Sequence, residues 1–256
     1  VRSADGTQGV GAPPGIAFFD VDETLIGPKS MFSFLEFYLR NDFRPPGTYE
    51  RAAAQLRGAA RRGLPREEVN RLYYRLLRGE SVRRLRSLGR EWFAEAARDP
   101  GFWHSPVLER LHHHRARGEL VVLVSGSFFG CLEPVSEAVG AHWTLGTRPV
   151  VRVGRLTGEV LVPVIGETKG AVARTAMALL GAEPGRCSAY GDHASDLSLL
   201  KAVGAPHVVG DDPVLNEHAH VHGWARIPRS LEPPPVFRNQ VAGVPDEIPS
   251  RVPTTA

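Results

Sequence analysis

In Ile16-Ala17-Phe18-Phe19-Asp20-Val21-Asp22-Glu23-Thr24 a continuously apolar run, Ile16 to Phe19, stops at the first of two aspartates two residues apart. Four apolar residues in succession, without polar alternation, describe a strand buried on both faces, as in the middle of a parallel sheet. Leu120 to Val124, ending at Ser125, has the same form, and two further strand candidates are Cys187 to Tyr190, ending at Gly191-Asp192, and His207 to Val209, ending at Gly210-Asp211. Gly130 to Val139, Lys169 to Leu180 and Asp196 to Ala202 carry apolar residues three and four apart, and Gly140, Gly181 and Gly204 follow them as glycine caps do. The alternation predicts βαβ units and an α/β fold built on a parallel sheet. In open sheets of that kind the ligand crevice lies beyond the carboxyl ends of the strands, which gathers Asp20, Ser125 and Asp192 at one edge.

Working outward, residues 29–117 lack a comparable strand signal and carry helical patterns over Ser30 to Leu39, Thr48 to Arg61, Arg66 to Leu77 and Val82 to Ala97. Placed directly after the first strand, this stretch reads as an inserted helical cap over a core of 15–28 and 118–228. Val151 to Val153 and Leu156 to Val160, joined through Gly154-Arg155, read as a hairpin off the main sheet. Residues 1–14 read as a flexible N-terminus and 229–256 as a Pro-rich extended or disordered tail.

The 256 residues are 42% hydrophobic and 23% charged, which excludes a wholly disordered or fibrous protein. No apolar stretch is long enough to span a membrane and none near the N-terminus resembles a secretory signal, so a cytoplasmic protein is expected. Cys131 and Cys187 are too few for a disulfide framework and lack the paired spacing of a zinc site. The net charge of +3 hides an asymmetry, because the cap region is strongly Arg-rich and the remainder acidic. Arginines spread over several helices read as solvated faces. No nucleic-acid partner is expected, since no nucleic-acid motif accompanies them. With 28 Arg but 3 Lys in the chain, a placed lysine is the more informative cation.

Asp20 and Asp22, at i and i+2, either point the same way from an extended segment or diverge as the strand turns into a loop. Gly191-Asp192-His193-Ala194-Ser195-Asp196 follows another strand and adds two carboxylates at the same edge. Crowded carboxylates raise one another's pKa unless a divalent cation neutralises them, and an all-oxygen donor set favours a hard ion such as Mg²⁺. Ser125-Gly126-Ser127 offers a hydroxyl and backbone N–H groups near a helix start, an anion site. Lys169 stands at the start of a predicted helix, where the dipole disfavours a cation, and a cost of that kind suggests use. Together these parts describe phosphoryl transfer to a carboxylate nucleophile. His112-His113-His114 point three ways on a helix, cannot chelate one ion, and read as a solvated stretch.

The ordered set Asp20-x-Asp22-x-Thr24, Ser125, Lys169 and Gly191-Asp192-x-x-x-Asp196 resembles the haloacid dehalogenase superfamily of hydrolases, in its phosphatase branch. The similarity covers about residues 16 to 228. The helical insertion, Gly154-Arg-Leu-Thr-Gly158 and Thr168-Lys169-Gly170 look most like the phosphoserine-phosphatase-like subfamily. The resemblance implies a Rossmann-like, doubly wound parallel sheet with an inserted α-helical cap. It also implies that Asp20 attacks phosphorus and that Asp22 protonates the leaving oxygen and later deprotonates water. Mg²⁺ would be bound by Asp20, the Asp22 backbone carbonyl and Asp192, with Asp196 in support. Thr24 would brace the loop, Ser125 and Gly126 would hold phosphate oxygens, and Lys169 would bridge Asp20 and the phosphate.

One departure bears on the substrate. Phosphoserine phosphatases carry a Glu nine residues after the nucleophile that holds the substrate ammonium group, and this chain has Lys29 there. A cation at that position repels an ammonium and favours carboxylate, phosphate or hydroxyl groups. Phe34, Phe37 and Tyr38 share a helix face and read as core, while Phe32 with Lys29 is a candidate substrate contact. The expectation is a Mg²⁺-dependent phosphatase acting on a small phosphorylated metabolite such as a sugar or cyclitol phosphate, through an aspartyl-phosphate. Three alternatives use the same parts: a phosphotransferase or mutase, a lysophospholipid-type phosphatase at a membrane surface, and a non-catalytic module that binds a phosphate ligand.

Overall fold

A computed structural model of the chain describes residues 15–42 and 44–229. The N-terminal stretch 1–14 and the tail beyond Arg229 lie outside the described residues. The elements follow in the order β1 (Ile16–Phe19), α1 (Ser30–Asn41), α2 (Thr48–Arg61), α3 (Arg66–Leu76), α4 (Val82–Ala96), α5 (Ser105–Ala116), β2 (Leu120–Ser125), α6 (Phe129–Val139) and β3 (Trp143–Gly146). The chain continues with β4 (Pro149–Arg152), β5 (Arg155–Val160), α7 (Glu167–Leu180), β6 (Ser188–Gly191), α8 (Leu197–Leu200), β7 (Ala205–Val209), α9 (Pro213–His222) and β8 (Ala225–Ile227). No described helix is long and apolar enough to cross a membrane.

Six strands form one parallel sheet in the order β3-β2-β1-β6-β7-β8. The chain winds outward from β1 through β2 to β3, then crosses back and winds the other way through β6, β7 and β8. That reversal makes β1 the switch point, beyond whose carboxyl end ligands gather. All four residues of β1 are buried, as its unbroken apolar run requires. Its alternate side chains feed two cores: Ala17 and Phe19 join Val121, Leu123 and Tyr190 on one face, and Ile16 and Phe18 join Val122, Val124 and Ala189 on the other.

The first core runs on into the helices that precede β2. Phe128, at the N-terminal end of α6, packs edge-on against Phe34, Tyr73 and Tyr74. α4 crosses α6 so closely that a Cβ on Gly89 would lie 2.0 Å from the Gly130 carbonyl oxygen, an approach only glycine permits. α5 packs on β2 through the same core, with Val107, Leu108 and Leu111 buried.

The hairpin β4–β5 stands apart from the main sheet, with positive φ at both turn residues, Val153 (47°) and Gly154 (70°). That turn matches the twist of paired strands. The hairpin also grips the helices: Gly79 N donates to Leu156 O (2.8 Å), Leu156 N to Glu80 O (2.9 Å) and Val82 N to Gly154 O (3.0 Å).

Several expectations need correction. β3, β8, α5 and α9 are additional to the elements expected from periodicity. The expected helix over 196–202 is a 3-10 turn at Ala194–Asp196 followed by the short α8. Gly140 and Gly181 cap their helices with φ of 62° and 65°, but Gly204 instead lies against Gly185, where a Cβ would come within 2.7 Å of the Gly185 Cα. His114 is no solvated residue: it is buried and bonded to Glu119 Oε2 (2.6 Å) and Tyr190 OH (2.8 Å).

Candidate active site

The loop after β1 is closed by its own backbone. Asp20 N donates to Tyr190 O (3.0 Å), extending the pairing with β6, and Leu25 N and Ile26 N both donate to Val21 O (3.0 Å). Closing so tight a loop puts Glu23 at φ 62°, a region side-chain-bearing residues rarely adopt and which recurs at functional sites. The two aspartates do not diverge to separate surfaces: Asp20 and Asp22 line one cavity of about 340 Å³. Asp22 Oδ1 accepts from Ser30 N (3.1 Å) at the N-terminus of α1, where a carboxylate is favoured by the dipole.

Three buried carboxylates, Asp20, Asp192 and Asp196, offer oxygens within 4.8 Å of one another. Lys169, in the first turn of α7 and 4% exposed, lies between two of them, at 2.6 Å from Asp20 Oδ1 and 2.5 Å from Asp196 Oδ1. Thr24 Oγ1 has one proton to give; it lies 2.8 Å from Asp192 Oδ1 and 3.2 Å from Asp20 Oδ2, so the shorter contact defines its donor role. Asp196 Oδ2 accepts from Asp192 N and His193 N (3.1 Å each), holding the β6–α8 turn in shape. Asp212, the N-cap of α9, braces the same turn by accepting from Ala194 N (3.2 Å).

Burial dominates the electrostatics. It pushes Asp20 up to about 7 against the pull of Lys169, with Asp196 and Asp192 adding to the rise. It likewise pushes Asp22 up to about 6, and Asp192 to about 6 with help from Asp196. Lys169 would be lowered by the same burial, but the carboxylates of Asp196 and Asp20 outweigh it and hold the ammonium above its ordinary value. Four acidic groups facing one buried lysine leave a deficit of positive charge. The all-oxygen donor set suits a hard divalent cation, which would relieve that deficit.

Ser125 ends β2, and its Oγ accepts from Ser127 N (3.1 Å). Ser127 Oγ in turn accepts from Ser30 Oγ (3.0 Å), tying the β2 loop to α1. Gly126 is needed as glycine, since a Cβ there would meet Ile165 Cγ1 at 2.9 Å.

The cavity brings together Asp20, Asp22, Lys29, Phe32, Ser125, Gly126, Lys169, Asp192 and Asp196, with Thr24 behind the carboxylates. Lys29 Nζ is 3.1 Å from Glu23 Oε2, and Phe32 lies under the Arg57 guanidinium, 5.6 Å from Cζ to the ring centroid. Sequence reasoning missed Arg57, Arg66, Asn70 and Tyr73, which line the same cavity from α2 and α3. It also missed Arg229, whose Nη2 lies 2.6 Å from Asp192 Oδ2. No local spacing marks these residues: the first four reach the cavity through the way α2 and α3 lie over the sheet, and Arg229 stands outside any periodic segment.

Residues 17–201 match the family model of haloacid dehalogenase-like hydrolases. The chain is 33% identical over 224 residues to the "Inhibition of morphological differentiation protein" of Streptomyces azureus, covering 86% of this chain and 80% of that one. It is 31% identical over 216 residues to the "Probable phosphatase Rv3661" of Mycobacterium tuberculosis, covering 81% and 73% of the two chains. Among solved structures, a substrate-bound phosphoserine phosphatase complex superimposes with a TM-score of 0.62 at 21% identity, over 84% of this chain and 92% of that one, and shares its fold. With its motifs on the strand ends of a parallel sheet and most of its length matched by the family model, the chain belongs to the haloacid dehalogenase-like hydrolases.

Proposed function

We propose that this chain is a Mg²⁺-dependent phosphomonoesterase that hydrolyses a small phosphorylated metabolite through an aspartyl-phosphate on Asp20. The observation that carries the reading is Lys169, buried and 2.6 Å from the Asp20 carboxylate within a ring of acidic oxygens. A buried, ion-paired lysine at a strand-end aspartate keeps that carboxylate oriented and answers the charge of an incoming phosphoryl group.

In this reading an Asp20 carboxylate oxygen attacks phosphorus as the bond to the leaving oxygen breaks, and Asp22 gives that oxygen its proton. Water then attacks the same phosphorus, losing a proton to Asp22, while the bond to Asp20 breaks and inorganic phosphate leaves. Asp22 at about 6 suits both halves, since it is accessible in either protonation state near neutrality. Ser125 and Gly126 hold the phosphoryl oxygens, and Thr24 braces Asp192. Asp20, the Asp22 carbonyl and Asp192 would hold Mg²⁺, with Asp196, already engaged by Lys169 and two backbone N–H groups, as their support. Bound there, the ion supplies positive charge against the carboxylate and phosphoryl oxygens.

The test is phosphate release from about a hundred phosphorylated metabolites, sugar and cyclitol phosphates beside amino acid phosphates, in Mg²⁺ buffer. At least one ester is turned over by the natural sequence and none by Asp20→Asn. Full turnover by Asp20→Asn would overturn the reading.

A further inference from the structure

The cavity that holds Asp20 is lined by more side chains than the phosphoryl chemistry uses. Its lining includes the apolar side chains Phe32, Leu56, Val69 and Ile165 and the Tyr73 ring. Two of the lining residues, Tyr73 and Asn70, also carry polar groups. Tyr73 OH and Asn70 Oδ1 are buried without a hydrogen-bond partner among the described residues, on side chains 2% and 8% exposed. Asn70 Nδ2 donates to Gly126 O (2.9 Å), which fixes the orientation of the amide.

Apart from the aspartates and Lys169, most of the charges that line the cavity are positive. Lys29, Arg57 and Arg66 line it, and Glu23 is the one acidic side chain there besides the four aspartates. Glu23 is engaged by Lys29. Arg66 Nη1 donates to His193 Nδ1 (2.8 Å), and Arg57 lies on the Phe32 ring; neither arginine has a carboxylate within ion-pair distance among the described residues. An ammonium group entering beside Arg57 meets a guanidinium that has no carboxylate partner among the described residues. An anion meets a planar guanidinium able to bind it through two N–H groups. The volume of about 340 Å³ is near the lower limit of ligand pockets, room for a phosphoryl group and one ring but not for paired acyl chains.

We propose that the pocket selects phosphomonoesters whose alcohol part is a ring-sized apolar body bearing a second anionic group, the body lying along Phe32, Leu56 and Val69 and the anion meeting Arg57. This rests on the hydrolase reading above for the placement of the phosphoryl group.

Three phosphonates test it by titration calorimetry with the full chain in Mg²⁺: phenylphosphonate, 4-carboxyphenylphosphonate and 4-(aminomethyl)phenylphosphonate, with the matching phosphate esters assayed for kcat/KM. The carboxylate compound is expected to bind about tenfold more tightly than the neutral one, and the ammonium compound about tenfold more weakly. Arg57→Gln, on an exposed helix position, should bring the carboxylate and neutral affinities within about twofold of each other, and Arg57→Lys should retain part of the difference. Equal binding of all three, a preference for the ammonium compound, or an unchanged ratio in Arg57→Gln would overturn the proposal. Should the phosphonates bind in the expected order while no ester releases phosphate, the hydrolase reading falls and the pocket assignment stands. Turnover of the esters with a flat or reversed ranking overturns the pocket assignment and leaves the hydrolase reading standing.

Discussion

Asp22→Asn preserves the shape of the loop, because the amide oxygen can still accept from Ser30 N, but removes the ability to give and take a proton. Burial sets the natural carboxyl at about 6, so at pH 7.5 about 3% of it is protonated. For an alkyl phosphate, whose leaving oxygen must be protonated while Asp20, at about 7, must be ionised, kcat/KM in the natural sequence should run level between about pH 6 and 7 and fall about tenfold per pH unit above that. Loss of a positioned general acid costs about 10²–10⁴ in rate, or roughly 3–5 kcal/mol of barrier. Asp22→Asn is expected to lose that much on an alkyl phosphate and to lose the pH slope with it. On p-nitrophenyl phosphate the leaving group departs without help, so the first half-reaction survives while hydrolysis of the Asp20 ester stalls. Stopped-flow absorbance should then show a burst of about one nitrophenolate per site followed by slow turnover. Equal losses on both esters, without a burst and with the pH slope intact, would remove Asp22 from proton transfer.

Three further outcomes follow from the geometry. Asp20, Asp22 and Asp192 stand at about 7, 6 and 6 in the fold against an ordinary value of 3.8, so the metal-free native state holds protons that the unfolded chain has released. Its stability should fall as pH rises from about 4 to 7, and Mg²⁺ should raise the melting temperature more at pH 8 than at pH 5; a melting temperature that rises with pH in chelator refutes the sign. Arg229→Gln frees Asp192 Oδ2 of a competing cation and should tighten Mg²⁺ binding severalfold by calorimetry, whereas weaker binding would make Arg229 a support of the site. Gly126→Ala drives a Cβ to 2.9 Å from Ile165 Cγ1 and should cost about 1–3 kcal/mol in denaturant unfolding, with unchanged stability contradicting the packing described.

The centre of the fold was legible because β1 and β2 are buried on both faces and spell unbroken apolar runs, and because β6, though it holds Ser188, is likewise buried and ends at Gly191-Asp192. The edges were not. β3 carries a Trp143 that is 40% exposed, and β8 has three residues, so neither produces a run. α5 was obscured by its three histidines, one of which turns inward on Tyr190. At the site, Asp20, Ser125 and Asp192 could be grouped from sequence because strand ends converge by topology. Lys169 could be noticed because a lysine is scarce in this chain and costly at a helix start. Arg57, Tyr73 and Arg229 could not, because their approach to the cavity depends on how α2, α3 and the segment after β8 are laid over the sheet, which no local spacing encodes.

The most direct measurement is of the covalent state of Asp20. The Asp22→Asn protein is mixed with p-nitrophenyl phosphate and Mg²⁺, quenched in acid within the burst and digested for peptide mass analysis. One phosphoryl group, labile to hydroxylamine and localised to the peptide side chain at Asp20, is expected at close to one per chain. Phosphate released with no modified Asp20 at any quench time, or the phosphoryl group found on another residue, would contradict nucleophilic attack by this aspartate.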